Sequence, residues 1–234
     1  MKKVLKSFLF SKFAGVGAVY VVFCLLTFVL TGHPIHLALI WNVFLAGVPL
    51  VLAEVLEKGV KKKWMFWVIF VAWVLFLPNA FYVVTDFIHL TDIDFYEVES
   101  YYANARTMRG VQYVFDVGVW TELLNVAAGF FFGTLMGVVA MAKMRGVVSR
   151  KFGVVWARVF VPVVAVLSGV AVYIGRFLRF NSWDIWRPWK LVGSLIKSFD
   201  GFMVLFSLAV AVYVVLVYAV FEVLRRGYFR ERRY

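Results

Sequence analysis

The chain has 234 residues, 64% of them hydrophobic, and a mean hydropathy of +0.88. An ordinary soluble domain is about 45–50% apolar, so a soluble core is excluded and the solvent for this surface must be lipid. The balance of 25 Lys+Arg against 13 Asp+Glu gives +12, which would suggest nucleic acid in a soluble protein but in a membrane chain is a signal of orientation; no nucleic-acid partner is expected.

A spanning helix needs about 20 mostly apolar residues, and six segments qualify, roughly 13–31, 36–56, 64–88, 118–141, 153–176 and 202–223. The opening MKKVLKSFLFSKF is basic and then apolar, as a signal peptide is, but no small-residue cleavage site follows, so it reads as a retained first helix. Cys24 stands alone in this span, permits no intrachain disulfide and reads as a buried structural thiol. His33 and His36 follow in a short turn; zinc there would need partners such as His89 or Asp86. In the second span, WNVFLAGVPL aligns Asn42, Ala46, Pro49 and Ala53 on one side, a packing face from which Asn42 can hydrogen-bond to another helix. Glu54, near the far end, is assigned to no site.

The third span carries LFLPNAFYVVTDFIHL. Pro78 removes a backbone hydrogen bond and predicts a kink. Asn79, Tyr82, Asp86 and His89 are spaced 3, 4 and 3, which places all four on one helical face. A central Asp costs about 2.5–3.5 kcal/mol on insertion scales, so the stripe should face protein or a water-filled cavity. Asp86 and His89 at i, i+3 can ligate a divalent metal or act as a carboxylate-oriented general base. The bland alternative is a helix end emerging into water. The loop 90–117 is acidic through Asp92, Asp94, Glu97 and Glu99, lacks the ordered spacing of an EF-hand, and reads as a lid or cap.

The fourth span has Gly129, Gly133 and Gly137 at four-residue intervals, a stripe for close helix approach. Glu122 and Asn125 begin that stripe and Asp116 precedes the span; Asp116 and Glu122 are candidate further contributors to a site. The fifth span ends in IGRFLRFNSWD. Arg176 and Arg179 share a face by spacing, and two guanidiniums suit a phosphate or carboxylate through bidentate hydrogen bonds. They could instead pair with Asp86 or Asp184, or snorkel to headgroups, though snorkelling does not account for Asn181, Ser182 and Asp184 following at once. WDIWRPWKLVGSLIKSF then brings interfacial tryptophans and, from Pro188, an amphipathic helix over roughly 188–199, expected to lie on the outer leaflet.

Eighteen of the 25 cations precede the first span, follow the sixth, or lie between spans two and three and around the start of span five. The positive-inside rule then places both termini in the cytoplasm. On this orientation all three histidines and most of the acids face outward. The expected fold is therefore all-α and polytopic: one domain over 1–234, six transmembrane helices, cytoplasmic N- and C-termini and a short interfacial helix on the outer face, with membrane lipids as partners.

WNVFLAGVPL, LFLPNAFYVVTDFIHL and YIGRFLRFNSWD together resemble the prokaryotic integral-membrane family catalogued as domain of unknown function 1361, over roughly residues 36–190. That family often has proline where this chain has Phe81 and tryptophan where it has Phe180. Both are packing changes that leave the polar residues intact. The resemblance implies a location in the plasma membrane of a prokaryotic cell and supplies no mechanism.

The residues themselves suggest an outward-facing enzyme acting on a lipid or lipid-linked anionic substrate. Asp86, His89 and Asp184 would be its catalytic groups; Arg176, Arg179, Asn181, Asn79 and Tyr82 would bind substrate; a divalent metal would sit on Asp86 and His89 with Asp116 or Asp184. No Gly-x-Ser-x-Gly, His-Glu-x-x-His or Walker loop is present. Two alternatives stand beside it: a structural or ligand-binding protein with a sealed polar network, and a small-solute transporter.

Overall fold

The computed structural model describes residues 2–98, 111–180 and 187–231. In chain order it has helices α1 (Lys2–Thr31), α2 (Ile35–Lys58) and α3 (Lys63–Tyr82), then a 3₁₀ segment (Val83–Asp92). Strands β1 (Tyr96–Val98) and β2 (Val111–Tyr113) follow, and then α4 (Val117–Phe152), α5 (Val154–Phe177), α6 (Pro188–Lys197) and α7 (Gly201–Glu231). Among the described residues six helical segments are long and apolar enough to cross a membrane. The chain is an all-α polytopic membrane protein with one small antiparallel hairpin added to it. Val29, Val19 and Leu205 are at least 70% exposed, a cost in water that vanishes when the solvent is lipid.

Three breaks differ from the expected boundaries. At 36 residues α4 runs far past position 141, and at about 1.5 Å per residue it is roughly 54 Å long. Lys143, Arg145, Arg150 and Lys151 therefore ride on helix rather than loop. Nothing but Gly153 separates α4 from α5; its φ of +99° is a conformation that a side chain would strain. In the third span the α-helix stops at Tyr82 and tightens to 3₁₀ through Asp92. Pro78 withholds one hydrogen bond, and Val83, Val84 and Thr85 crowd an α-turn. The single stripe of four residues expected there is thus broken in two. Asn79 and Tyr82 belong to the α part, while Asp86 and His89 eclipse one another in the 3₁₀ part.

The contacts divide the chain into two compact units, Met1–Val43 with Thr85–Phe131, and Phe44–Val84 with Phe132–Tyr234. In the first, β1 and β2 pair Tyr96 with Tyr113 and Val98 with Val111. The hairpin is pinned to α4 by Trp120, whose indole N–H donates to the Val114 carbonyl at 2.8 Å and whose ring meets Phe95 edge-on. In the second, α5 packs on α7 and on α3. Gly169 brings α5 against the Ser207 carbonyl of α7, where a Cβ would clash with backbone. The glycine stripe of α4 works as packing: a Cβ on Gly133 would press on Val83 at 3.0 Å, and one on Gly137 would meet Ala80 at 2.8 Å. Trp73 is fully buried and stacks on Phe160. The short helix α6 begins with Pro188 at its first turn, as expected.

Candidate functional site

The first unit concentrates polar groups that an apolar chain would otherwise avoid. Asp86 is 2% exposed and Glu122 is 4% exposed. A helix end emerging into water does not describe Asp86. Its Oδ2 accepts a 2.9 Å hydrogen bond from the Asn42 amide, so Asn42 makes the interhelical bond expected of it, and makes it to a candidate site residue. His89 lies one 3₁₀ turn further on and is half-buried.

The turn between α1 and α2 sets a second group. Gly32 adopts φ +70° and the Thr31 hydroxyl accepts the His33 N–H, which reverses the chain and starts α2 at Ile35. His33 and His36 are thereby brought to Glu122 on α4. His33 Nδ1 lies 2.8 Å from Glu122 Oε1, and His36 Nε2 lies 3.8 Å from Oε2. His36 is fully buried, and neither ring nitrogen has a partner within hydrogen-bonding distance. Residue type alone groups this histidine pair with Asp86 and His89; in the fold its acid is Glu122. The available signal is Glu122 itself, a lone acid among apolar residues.

Asn125, one turn along α4, holds a neutral knot. Its amide N–H donates to the Thr27 hydroxyl at 3.0 Å, and its Oδ1 receives the Cys24 thiol at 3.3 Å and the Tyr20 hydroxyl at 3.5 Å. The Thr27 hydroxyl donates in turn to the Phe23 carbonyl. Cys24 is buried as read from the sequence, and its thiol serves as a donor. Asp116 acts locally, where its Oδ1 accepts the Gly118 N–H at 2.6 Å and caps α4.

The second unit holds the arginine group. Arg176 donates to the Tyr82 hydroxyl at 3.3 Å, with its guanidinium carbon 5.8 Å from the Tyr82 ring centroid. The ring packs beside Gly175. Arg179 does not share a helical face with Arg176. Helix α5 ends at Phe177, Arg179 turns to φ +57°, and the Phe180 N–H returns to the Ile174 carbonyl. A non-glycine residue there costs about 1–2 kcal/mol, and this one is exposed. The Asn79 amide donates to its own helix at Phe76 O. Asn181 and Asp184 lie outside the described residues. Among the described residues no three His, Cys, Asp or Glu side chains are grouped so as to hold a metal ion.

The second unit also holds ion pairs that periodicity does not reveal, built on the buried Glu54 and Glu222. Lys143 Nζ lies 2.9 Å from Glu57 and 3.5 Å from Glu54. Glu222 meets Arg225 at 2.7 Å, Arg226 at 3.5 Å and Arg145 at 3.8 Å.

A model of a protein family of unknown function (DUF1361) matches residues 41–217. No curated protein and no solved structure matches the chain.

Proposed function

The chain belongs to the family of unknown function DUF1361, so its chemistry must be read from its own residues, and we propose that it is a membrane enzyme performing acid–base chemistry on an anionic lipid or lipid-linked substrate at the outer leaflet. The observation that carries the reading is the burial of Asp86 and Glu122 within one compact unit of an apolar chain. Intramembrane carboxylates are expensive and mark sites of proton or substrate handling. Glu122 is set against two imidazoles, side chains that can both accept and donate a proton. A group of this kind can take a proton from water or an acceptor hydroxyl and return it to a leaving group.

On this reading Asp86, oriented by Asn42, is a catalytic carboxylate with His89, and the His33–Glu122–His36 group exchanges protons. Arg176, steadied by Tyr82, and Arg179, with Asn181 and Asn79, recognise the anion. The distribution of the cations supports cytoplasmic termini and an outward-facing site.

The test compares membranes from cells producing the wild type, Asp86→Asn and Glu122→Gln at matched levels. Mass spectrometry of the extracted lipids is expected to show an anionic species formed or consumed by the wild type and not by either variant. Identical lipid profiles in all three, with the variants melting far below the wild type, would replace the enzyme with a structural polar network.

A further inference from the structure

The second unit contains a cavity of about 460 Å³ that the proposed acid–base chemistry does not use. Lys61, Lys62, Lys63, Arg150 and Lys151 line it against a single acid, Glu57. Glu57 is already engaged by Lys143 at 2.9 Å. Among the described residues none of the five cations has a carboxylate within ion-pair distance. Lys151 rests over the Phe66 ring at 4.4 Å, which fixes an ammonium at the wall without neutralising it. The floor is apolar, formed by Leu56, Val60, Phe66 and Val147.

The backbone adds to the same sign. Helix α3 begins at Lys63, its N-cap Lys62 makes no side-chain cap, and its first turn holds no acidic residue. The positive end of a helix dipole thus adjoins residues that are already cationic. Orientation signalling accounts for lysines at this end of the spans. It does not account for their arrangement around a concavity with an apolar floor, where like charges repel unless an anion joins them. The α2–α3 turn supplies Lys61 to Lys63 through Gly59 at φ +93°, and the extension of α4 supplies Arg150 and Lys151.

We propose that the cavity bounded by the α2–α3 turn and the end of α4 is a binding site for a phosphate group, distinct from the acid–base site and independent of it. The phosphate belongs either to an anionic phospholipid, whose glycerol and upper acyl chain would cover the apolar floor, or to free phosphate in solution.

The experiment uses the full chain in phosphatidylcholine nanodiscs at low salt. One arm includes phosphatidylglycerol and counts the lipid retained by native mass spectrometry; the other titrates inorganic phosphate calorimetrically. The wild type is expected to bind in one arm, and the arm identifies the source. In the triple variant Lys62→Gln, Arg150→Gln, Lys151→Gln that binding should weaken roughly 100-fold, because each cation near an anionic headgroup contributes about a factor of five. Val60→Trp fills the floor while leaving every charge and the orientation signal in place, and should abolish the same binding. The pair Lys190→Gln, Lys197→Gln on α6 should leave it unchanged. Equal binding by the wild type, the triple variant and Val60→Trp would overturn the proposal. So would an equal loss in the α6 pair, which would reduce the effect to net charge.

Discussion

Glu54 on α2 is 6% exposed and Glu122 on α4 is 4% exposed, yet their surroundings differ in kind. Glu54 and its neighbour Glu57 meet the ammonium of Lys143, and Glu222 meets three guanidiniums. These partners are donors with no acceptor of their own, an ammonium and three guanidiniums. Glu122 meets two imidazoles, and one turn away Asn125 is satisfied entirely by neutral donors and acceptors. The second unit thus sets its carboxylates against lysine and arginine, while the first sets a carboxylate against imidazoles beside a neutral knot. The difference is what the proposed reading rests on: it assigns proton exchange to the carboxylate–imidazole group of the first unit and leaves the ion pairs of the second to serve the fold.

The comparison breaks most visibly at Lys143. Lys143→Met would leave the buried Glu54 without its ammonium, and losing one partner of a buried pair costs about 3–5 kcal/mol. Thermal unfolding in detergent should show the largest loss of the variants considered, and Glu54→Gln in the same background should recover part of it. Next in size is Asn42→Ala, which removes a hydrogen bond to the buried Asp86 carboxylate. A bond to a charged group contributes about 1.5–3 kcal/mol, so a loss near 2 kcal/mol is expected by the same measurement. Asn125→Ala removes three interhelical contacts of neutral partners, at about 0.6 kcal/mol each in a membrane. Its expected cost is therefore below 2 kcal/mol. Should it exceed that of Lys143→Met, the neutral knot and not the ion pair would be the main staple.

Much of this is legible in the sequence because membrane helices are read by length and apolarity, which need no tertiary knowledge. All six spans, the glycine stripe of α4 and the helix starting at Pro188 follow from composition and spacing. What escapes depends on contacts between distant residues. Asn42 and Asp86 are 44 positions apart, and Asn125 lies about a hundred from Tyr20, Cys24 and Thr27. The spacing of Asn79, Tyr82, Asp86 and His89 fits an α-helix, but it cannot register that the helix changes pitch at Val83. The face shared by Arg176 and Arg179 fails for a related reason. Periodicity carries no mark of the residue at which a helix ends, and here the end falls between the two. Lys143 reads as an orientation charge because nothing in the sequence shows that α4 runs on as helix and brings it to Glu54.

The smallest effect on stability should come from Glu122, the residue to which the proposed reading gives proton exchange. Glu122→Gln keeps the shape and size of the side chain, and its carbonyl oxygen can still accept from His33 or His36. No lysine or arginine loses an ion-pair partner by the change, because the contacts of Glu122 are to imidazoles. Losing the carboxylate also removes the cost of holding that charge away from water. The two terms oppose each other, and the net change in unfolding free energy should stay within about 1 kcal/mol. Glu222→Gln is the matched control: it removes a carboxylate shared by Arg225, Arg226 and Arg145, and those guanidiniums keep their charge. Solvent reaches Arg225 and Arg226, which softens the loss, but its sign remains destabilising. A Glu122→Gln protein as unstable as Glu222→Gln would mean that the imidazoles depend on the carboxylate as the guanidiniums do, and the distinction between the two units would vanish.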